Sequence, residues 1–129
     1  MLALKRAPRR AADGEDALLT IPADFRCESG DALPDAHIRV RLYGELDAPL
    51  IVVAGGISAG RHLHEWWPDQ VGASAAIDLG RYAALGFDFA PLADAHVRLS
   101  PLDQARLIAL ALDALGVSRI AAWVGASYG

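Results

Sequence analysis

With one cysteine, Cys27, among 129 residues, the chain has no second thiol with which to close an internal disulfide. A reducing compartment, the cytoplasm, is therefore its expected setting, and a lone half-buried thiol is expected to be inert. Long apolar runs are missing too. No stretch approaches the roughly 18 uninterrupted apolar residues that a membrane-crossing helix requires, so no membrane span is expected. Positive charge is not in excess: 12 Lys and Arg stand against 16 Asp and Glu, and the net charge of −4 offers no general surface for nucleic acid. There is no internal repeat and no low-complexity block.

What remains is a composition that builds one globular unit, 53% hydrophobic and rich in aliphatic residues and alanine. The first dozen residues carry Lys5, Arg6, Arg9 and Arg10 and no acid. No apolar signal core follows them, and Asp13, Glu15 and Asp16 come at once, so residues 1–17 read as a solvated, flexible tail and residues 18–129 as the folded core, with order beginning near Leu18.

Strand and helix patterns then alternate. His37–Tyr43 alternates polar and apolar residues, as a strand with one wet face near a sheet edge does. Leu50–Ala54 is apolar throughout, the pattern of a strand covered on both faces in a parallel sheet, and it runs into Gly55 and Gly56. Residues 82–89, interrupted by Gly86, and residues 120–124 are two further strands, the last one short and buried. Between them lies the clearest helix, with Ser100 as N-cap, Pro101 at its first position and Asp103 completing a capping box. Leu102, Ala105, Ile108, Leu112 and Leu115 form its apolar stripe, and Gly116 ends it in a left-handed turn. Strand, helix, strand in this order predicts an α/β fold: a mostly parallel sheet with flanking helices, whose site lies at the carboxyl ends of the strands.

That is where Gly125-Ala126-Ser127-Tyr128-Gly129 sits, a Gly-x-Ser-x-Gly pattern straight after an apolar run. Chance alone produces it in roughly 4% of chains this long, so its position after a strand is what gives it weight. Such a nucleophile elbow reverses the chain from strand to helix within a few residues, which strains the serine backbone and leaves no room for side chains at Gly125 and Gly129. An ordinary glycine-rich loop is the bland alternative. Acyl transfer by Ser127 also needs two fixed backbone donors for the oxyanion. The N–H of Tyr128 is one; an N–H of the Gly55-Gly56-Ile57 turn, with Gly56 as donor, is the other, unless those glycines are only a flexible strand exit.

The histidines carry less. His62 and His64 with Glu65 fail the His-Glu-x-x-His zinc pattern, because the run from His64 is His-Glu-Trp-Trp-Pro, so no metal is expected. His62 and His64 line a pocket mouth or face water, and His96, beside Asp94 and Arg98, reads as surface. Trp66 and Trp67 are either packing anchors or substrate contacts.

The block Trp66-Trp67-Pro68-Asp69-Gln70-Val71-Gly72, continuing through Ala76-Ile77-Asp78-Leu79-Gly80-Arg81-Tyr82, resembles the Trp-Trp, Gly and Ala-Ile-Asp-x-x-Arg-Tyr block of the homoserine O-acyltransferases. The resemblance runs in order from about His37 to Gly129 and implies the α/β-hydrolase fold. The chain departs from the family at Ala54-Gly55-Gly56-Ile57-Ser58, where members carry a His-Ala-Leu-Thr-Gly type of turn, and in a shorter stretch from Phe87 to Leu92. The resemblance implies that Ser127 takes an acyl group, acetyl or succinyl, from acyl-CoA as co-substrate and passes it to the hydroxyl of homoserine in methionine biosynthesis, with no resident cofactor. It leaves a homodimer open for the full-length protein. In α/β-hydrolases the histidine and acid that activate the serine follow it in the chain, whereas His37, His62, His64 and His96 all precede Ser127. The expectation is an inactive amino-terminal piece of an acyltransferase, with a serine esterase or a non-catalytic domain as the alternatives.

Overall fold

The computed structural model describes residues 14–33, 37–45, 47–90 and 97–129. Lys5, Arg6, Arg9, Arg10, Asp13, Pro91, Leu92, Asp94 and His96 lie outside the described residues. In chain order the elements are β1 (Glu15–Thr20), β2 (His37–Tyr43), β3 (Leu50–Ala54), α1 (Leu63–Trp66), β4 (Val71–Gly72), β5 (Ile77–Asp78), β6 (Ala83–Phe87), α2 (Pro101–Ala114) and β7 (Ala122–Gly125). Five strands form one sheet in the order β1-β2-β6-β3-β7, and β4 and β5 make a separate short parallel pair.

The sheet is mixed rather than mostly parallel. β1 runs antiparallel to β2 and β2 to β6, while β3 is parallel to both β6 and β7. The parallel half is the half that carries the two glycine turns. β1 starts at Glu15, ahead of Leu18, because the acids that look like solvated tail have partners: Asp16 accepts from Arg41 Nη1 at 2.7 Å and from Arg61 Nε at 3.1 Å.

Along β3 the side chains alternate between two apolar clusters, so the strand is buried on both faces as its composition requires. Leu50, Val52 and Ala54 join Leu85, Leu107, Ile108 and Ala111 under α2. Ile51 and Val53 join Leu63, Val71, Ile77 and Ala84 on the opposite face, where Trp66 and Trp67 pack. The outer residues of β2, His37 and Arg39, are exposed, giving it the expected wet face.

Helix α2 starts as read: the Ser100 side chain accepts from the Asp103 N–H, and the Asp103 carboxylate accepts from the Ser100 N–H. Gly116, at φ 75, ends it, with Val117 N–H bonded to Leu112 O. Its buried face differs from the expected stripe. Asp103, Gln104, Leu107, Ile108 and Ala111 face inward, while Leu102 and Ala105 are exposed. The reason is polar: Asp103 also accepts from Glu28 N–H at 2.9 Å, and Gln104 clasps the backbone of Ala90 from both amide atoms. Those bonds turn the helix about its axis. Among the described residues no helix is long and apolar enough to cross a membrane.

β6 and β7 are displaced from their expected bounds of 82–89 and 120–124. β6 ends at Phe87 because Asp88 turns its carboxylate to Arg61, whose carbonyl in turn lies over Gly86 and leaves no space there for a Cβ. β7 begins at Ala122 and reaches Gly125, opposite Ala54 of β3. It is not buried: Ala122, Trp123 and Gly125 are exposed, because β7 is the edge of the described sheet and α2 covers the neighbouring strands instead.

Candidate active site

The register of β3 with β7 sets Ala54 beside Gly125, so the two glycine turns leave the sheet side by side. At the first turn the chain passes through Gly55 and Gly56 and closes with Ala59 N–H bonded to Gly56 O at 2.9 Å. At the second, Ala126 N–H donates to Ala54 O at 2.9 Å, and Gly129 N–H returns to Ala126 O at 3.1 Å. Ser127 lies at the apex with φ 57, a left-handed conformation costly for any residue with a Cβ. It is the strained serine that the pattern demands.

Both flanking glycines are enforced by contact. A Cβ on Gly125 would collide with the Gly129 carbonyl, and one on Gly129 with the Ala54 carbonyl. Trp123 Nε1 donates to Gly129 O at 3.2 Å and draws the bend shut.

Gly56 faces the serine: a methyl group placed on it would lie 3.8 Å from the Ser127 Cβ. Gly55 does not. A methyl there would meet Ala59 Cβ at 2.6 Å and the Trp66 ring at 2.8 Å, so Gly55 is a packing position that holds the turn down. Among the described residues no hydrogen bond engages the N–H groups of Gly56, Ile57 or Tyr128, nor the Ser127 hydroxyl. The arrangement puts backbone donors without hydrogen bonds beside a serine hydroxyl. Aromatic side chains flank the serine turn. The Tyr128 ring packs edge-on against Phe89 at 4.8 Å, Phe89 against Phe87 at 5.1 Å, and Ile57 is exposed beside the turn.

The histidines stand apart from this arrangement. His64 Nδ1 pairs with the Tyr43 hydroxyl at 2.8 Å, and the His62 ring lies against that of His64 at 6.0 Å. Neither is bonded to Ser127. Cys27 is buried more completely than expected, and desolvation pushes its thiol pKa up, away from reactivity.

Residues outside the two glycine turns hold the Gly55-Gly56 turn from behind. Arg61 is one: its backbone N–H and Nη1 both donate to the Asp88 carboxylate, at 2.9 and 2.8 Å, and its guanidinium reaches Asp16 as well. Trp66, read from the sequence as either a packing anchor or a substrate contact, is another, with Nε1 donating to Gly60 O at 3.1 Å. Sequence reasoning missed Arg61, for which a basic residue five positions after a strand-end glycine pair was the only linear signal, and it pointed to no partner.

No family model matches the chain. A homoserine O-succinyltransferase of Xanthomonas campestris pv. campestris is 41% identical to it over 105 residues, covering 74% of this chain and 28% of that protein. The crystal structure of homoserine O-acetyltransferase from Staphylococcus aureus superposes with a TM-score of 0.71 at 27% identity, over 89% of this chain and 39% of that one. Esterase E22 superposes at 0.74 over 89% of this chain and 41% of its own, and at 18% identity that likeness concerns the fold alone. The chain thus spans about a third of the length of the curated relatives it matches. By sequence and by fold, the chain belongs to the homoserine O-acyltransferase family of the α/β-hydrolase superfamily.

Proposed function

We propose that these residues form the nucleophile and oxyanion half of an acyl-transfer centre that moves an acetyl or succinyl group from acyl-CoA to the hydroxyl of homoserine. The observation that carries the reading is the apposition of Ser127, strained at φ 57, to Gly56 across the β3–β7 register. The Ser127 oxygen attacks the thioester carbonyl and loses its proton to a base. The tetrahedral oxyanion takes hydrogen bonds from the N–H groups of Tyr128 and of Gly56 or Ile57, then collapses to acyl-Ser127 and expels the CoA thiol. Attack by the homoserine hydroxyl reverses these steps and frees the serine. No resident cofactor is needed.

The described residues bring no histidine to the Ser127 hydroxyl, so the 129 residues by themselves are expected not to turn over. Turnover belongs to a protein that adds a base and its acid partner to this frame, in the cytoplasm and acting on small molecules. Release of CoA thiol from acetyl-CoA and succinyl-CoA, with and without homoserine, tests the reading in such a protein. Homoserine-dependent release, with the acyl group found on Ser127 by mass spectrometry, is the expected result. Release that homoserine does not accelerate assigns the acyl-enzyme to hydrolysis instead. Ser127→Ala lowers kcat by about a million-fold; a variant that kept its activity would leave Ser127 outside the chemistry and favour a non-catalytic domain.

A further inference from the structure

We infer that Trp66 is a positioning residue that braces the 55–60 loop against Ser127, an inference that rests on the acyl-transfer reading above. The loop leaves β3 at Gly55, and the Trp66 ring occupies the space beside that glycine: Cζ2 and Cη2 would lie 2.8 and 2.9 Å from a methyl there. At the loop's other end the same indole donates Nε1–H to Gly60 O at 3.1 Å. One side chain therefore holds both ends of the segment that presents Gly56 to the serine. Its own base is firm. Trp66 closes the single turn of α1, whose Leu63 is fully buried in the cluster beneath the sheet, and Trp67 stacks on it at 5.1 Å with an interplanar angle of 15°.

With its edge on Gly55, its N–H on Gly60 and a face against Trp67, the Trp66 ring is committed to the protein. This separates the two roles that the sequence left open for it. An oxyanion donor acts in proportion to how well it is fixed before the charge develops, so slack in the loop weakens the transition state more than the bound substrate. Arg61, anchored on Asp88, completes the frame beyond Gly60.

Trp66→Phe keeps a ring on Gly55 and removes only the donor to Gly60. In the 129-residue chain, amide hydrogen exchange at Ala59, whose N–H closes the turn on Gly56 O, is expected to rise about ten-fold while Val52 and Val53 in β3 stay as they were. Unchanged exchange at Ala59, or an equal rise at all three, overturns the inference, since the first shows no bracing and the second only lost core stability. If Trp66→Phe does not fold, exchange of the Trp66 indole proton in the unaltered chain decides the matter. An opening rate shared with the Ala59 amide upholds the brace, and an indole that exchanges freely beside a protected Ala59 removes it.

In a protein that shows acyl transfer, Trp66→Phe should lower kcat about ten-fold and leave the KM for the CoA thioester in place. A raised KM with kcat retained would make Trp66 a substrate contact instead. Absence of both thiol release and an acyl-Ser127 adduct in the unaltered protein defeats the acyl-transfer reading, and the exchange measurement still decides the brace.

Discussion

At the scale of single residues, Ser127 carries a conformational cost that the proposed nucleophile role explains. A left-handed residue with a Cβ is disfavoured by about 1–2 kcal/mol, and glycine escapes that penalty. Ser127→Gly is therefore expected to be more stable than Ser127→Ala by about 1 kcal/mol in chemical denaturation, although both lack the hydroxyl. Equal stabilities would show that the bend is relaxed. Gly125→Ala drives a methyl into the Gly129 carbonyl and is expected to cost about 2 kcal/mol by the same measurement. The serine and its two glycines were legible in the sequence because a sharp reversal at the end of a strand has few solutions. Gly55 and Gly56 were read as a pair, yet the fold gives them different work: Gly56 faces the serine and Gly55 lies under Trp66.

At the scale of elements, capping and ion pairing tie the frame together. Ser100→Ala removes the cap of α2 and is expected to cost about 1 kcal/mol of stability, read from the denaturation midpoint. Burial opposes ionisation of Asp103, but donors from Ser100, Glu28 and Arg106 outweigh it and hold its pKa below the ordinary value. Asp16 on β1 is lowered to about 2, first by its hydrogen bond to Arg61, against a smaller opposing effect of burial, and further by Arg41. Because the folded value lies below the ordinary 3.8, its stabilising contribution is fully present above that pH and is lost as pH falls toward about 2. Asp16→Asn should accordingly flatten the stability profile across that acid window. A profile identical to that of the unaltered chain would show that the Arg61 pair holds nothing. The capping box and Gly116 were plain from spacing, whereas the rotation of α2 was not, since it depends on Glu28 and Ala90, which are distant in sequence.

For the whole molecule, the exposed flank of β7 dominates. Trp123 is 42% exposed and Tyr128 39%, and the outer edge of β7 has no strand paired to it among the described residues. Unpaired edges bearing apolar side chains template association. The 129-residue chain is expected to self-associate with rising concentration, and Ala122→Lys, which places a charge on that edge, to suppress it in sedimentation or light scattering. Association unaffected by the lysine would move the sticky surface elsewhere.

Local chemistry, written in neighbouring residues, was enough to determine the α/β class, the capped helix and the tight bend at Ser127, while the family was legible from a resemblance that runs in order from about His37 to Gly129. Periodicity, capping and turn strain all act within a few positions of the chain. Which strands lie side by side, that the sheet is half antiparallel, that Gly56 rather than Gly55 meets the serine, and that Trp66 and Arg61 hold the turn from behind were settled only by tertiary structure. Those outcomes depend on contacts between residues far apart in the chain, where many pairings satisfy the same pattern and only simultaneous packing on both faces of the sheet selects one.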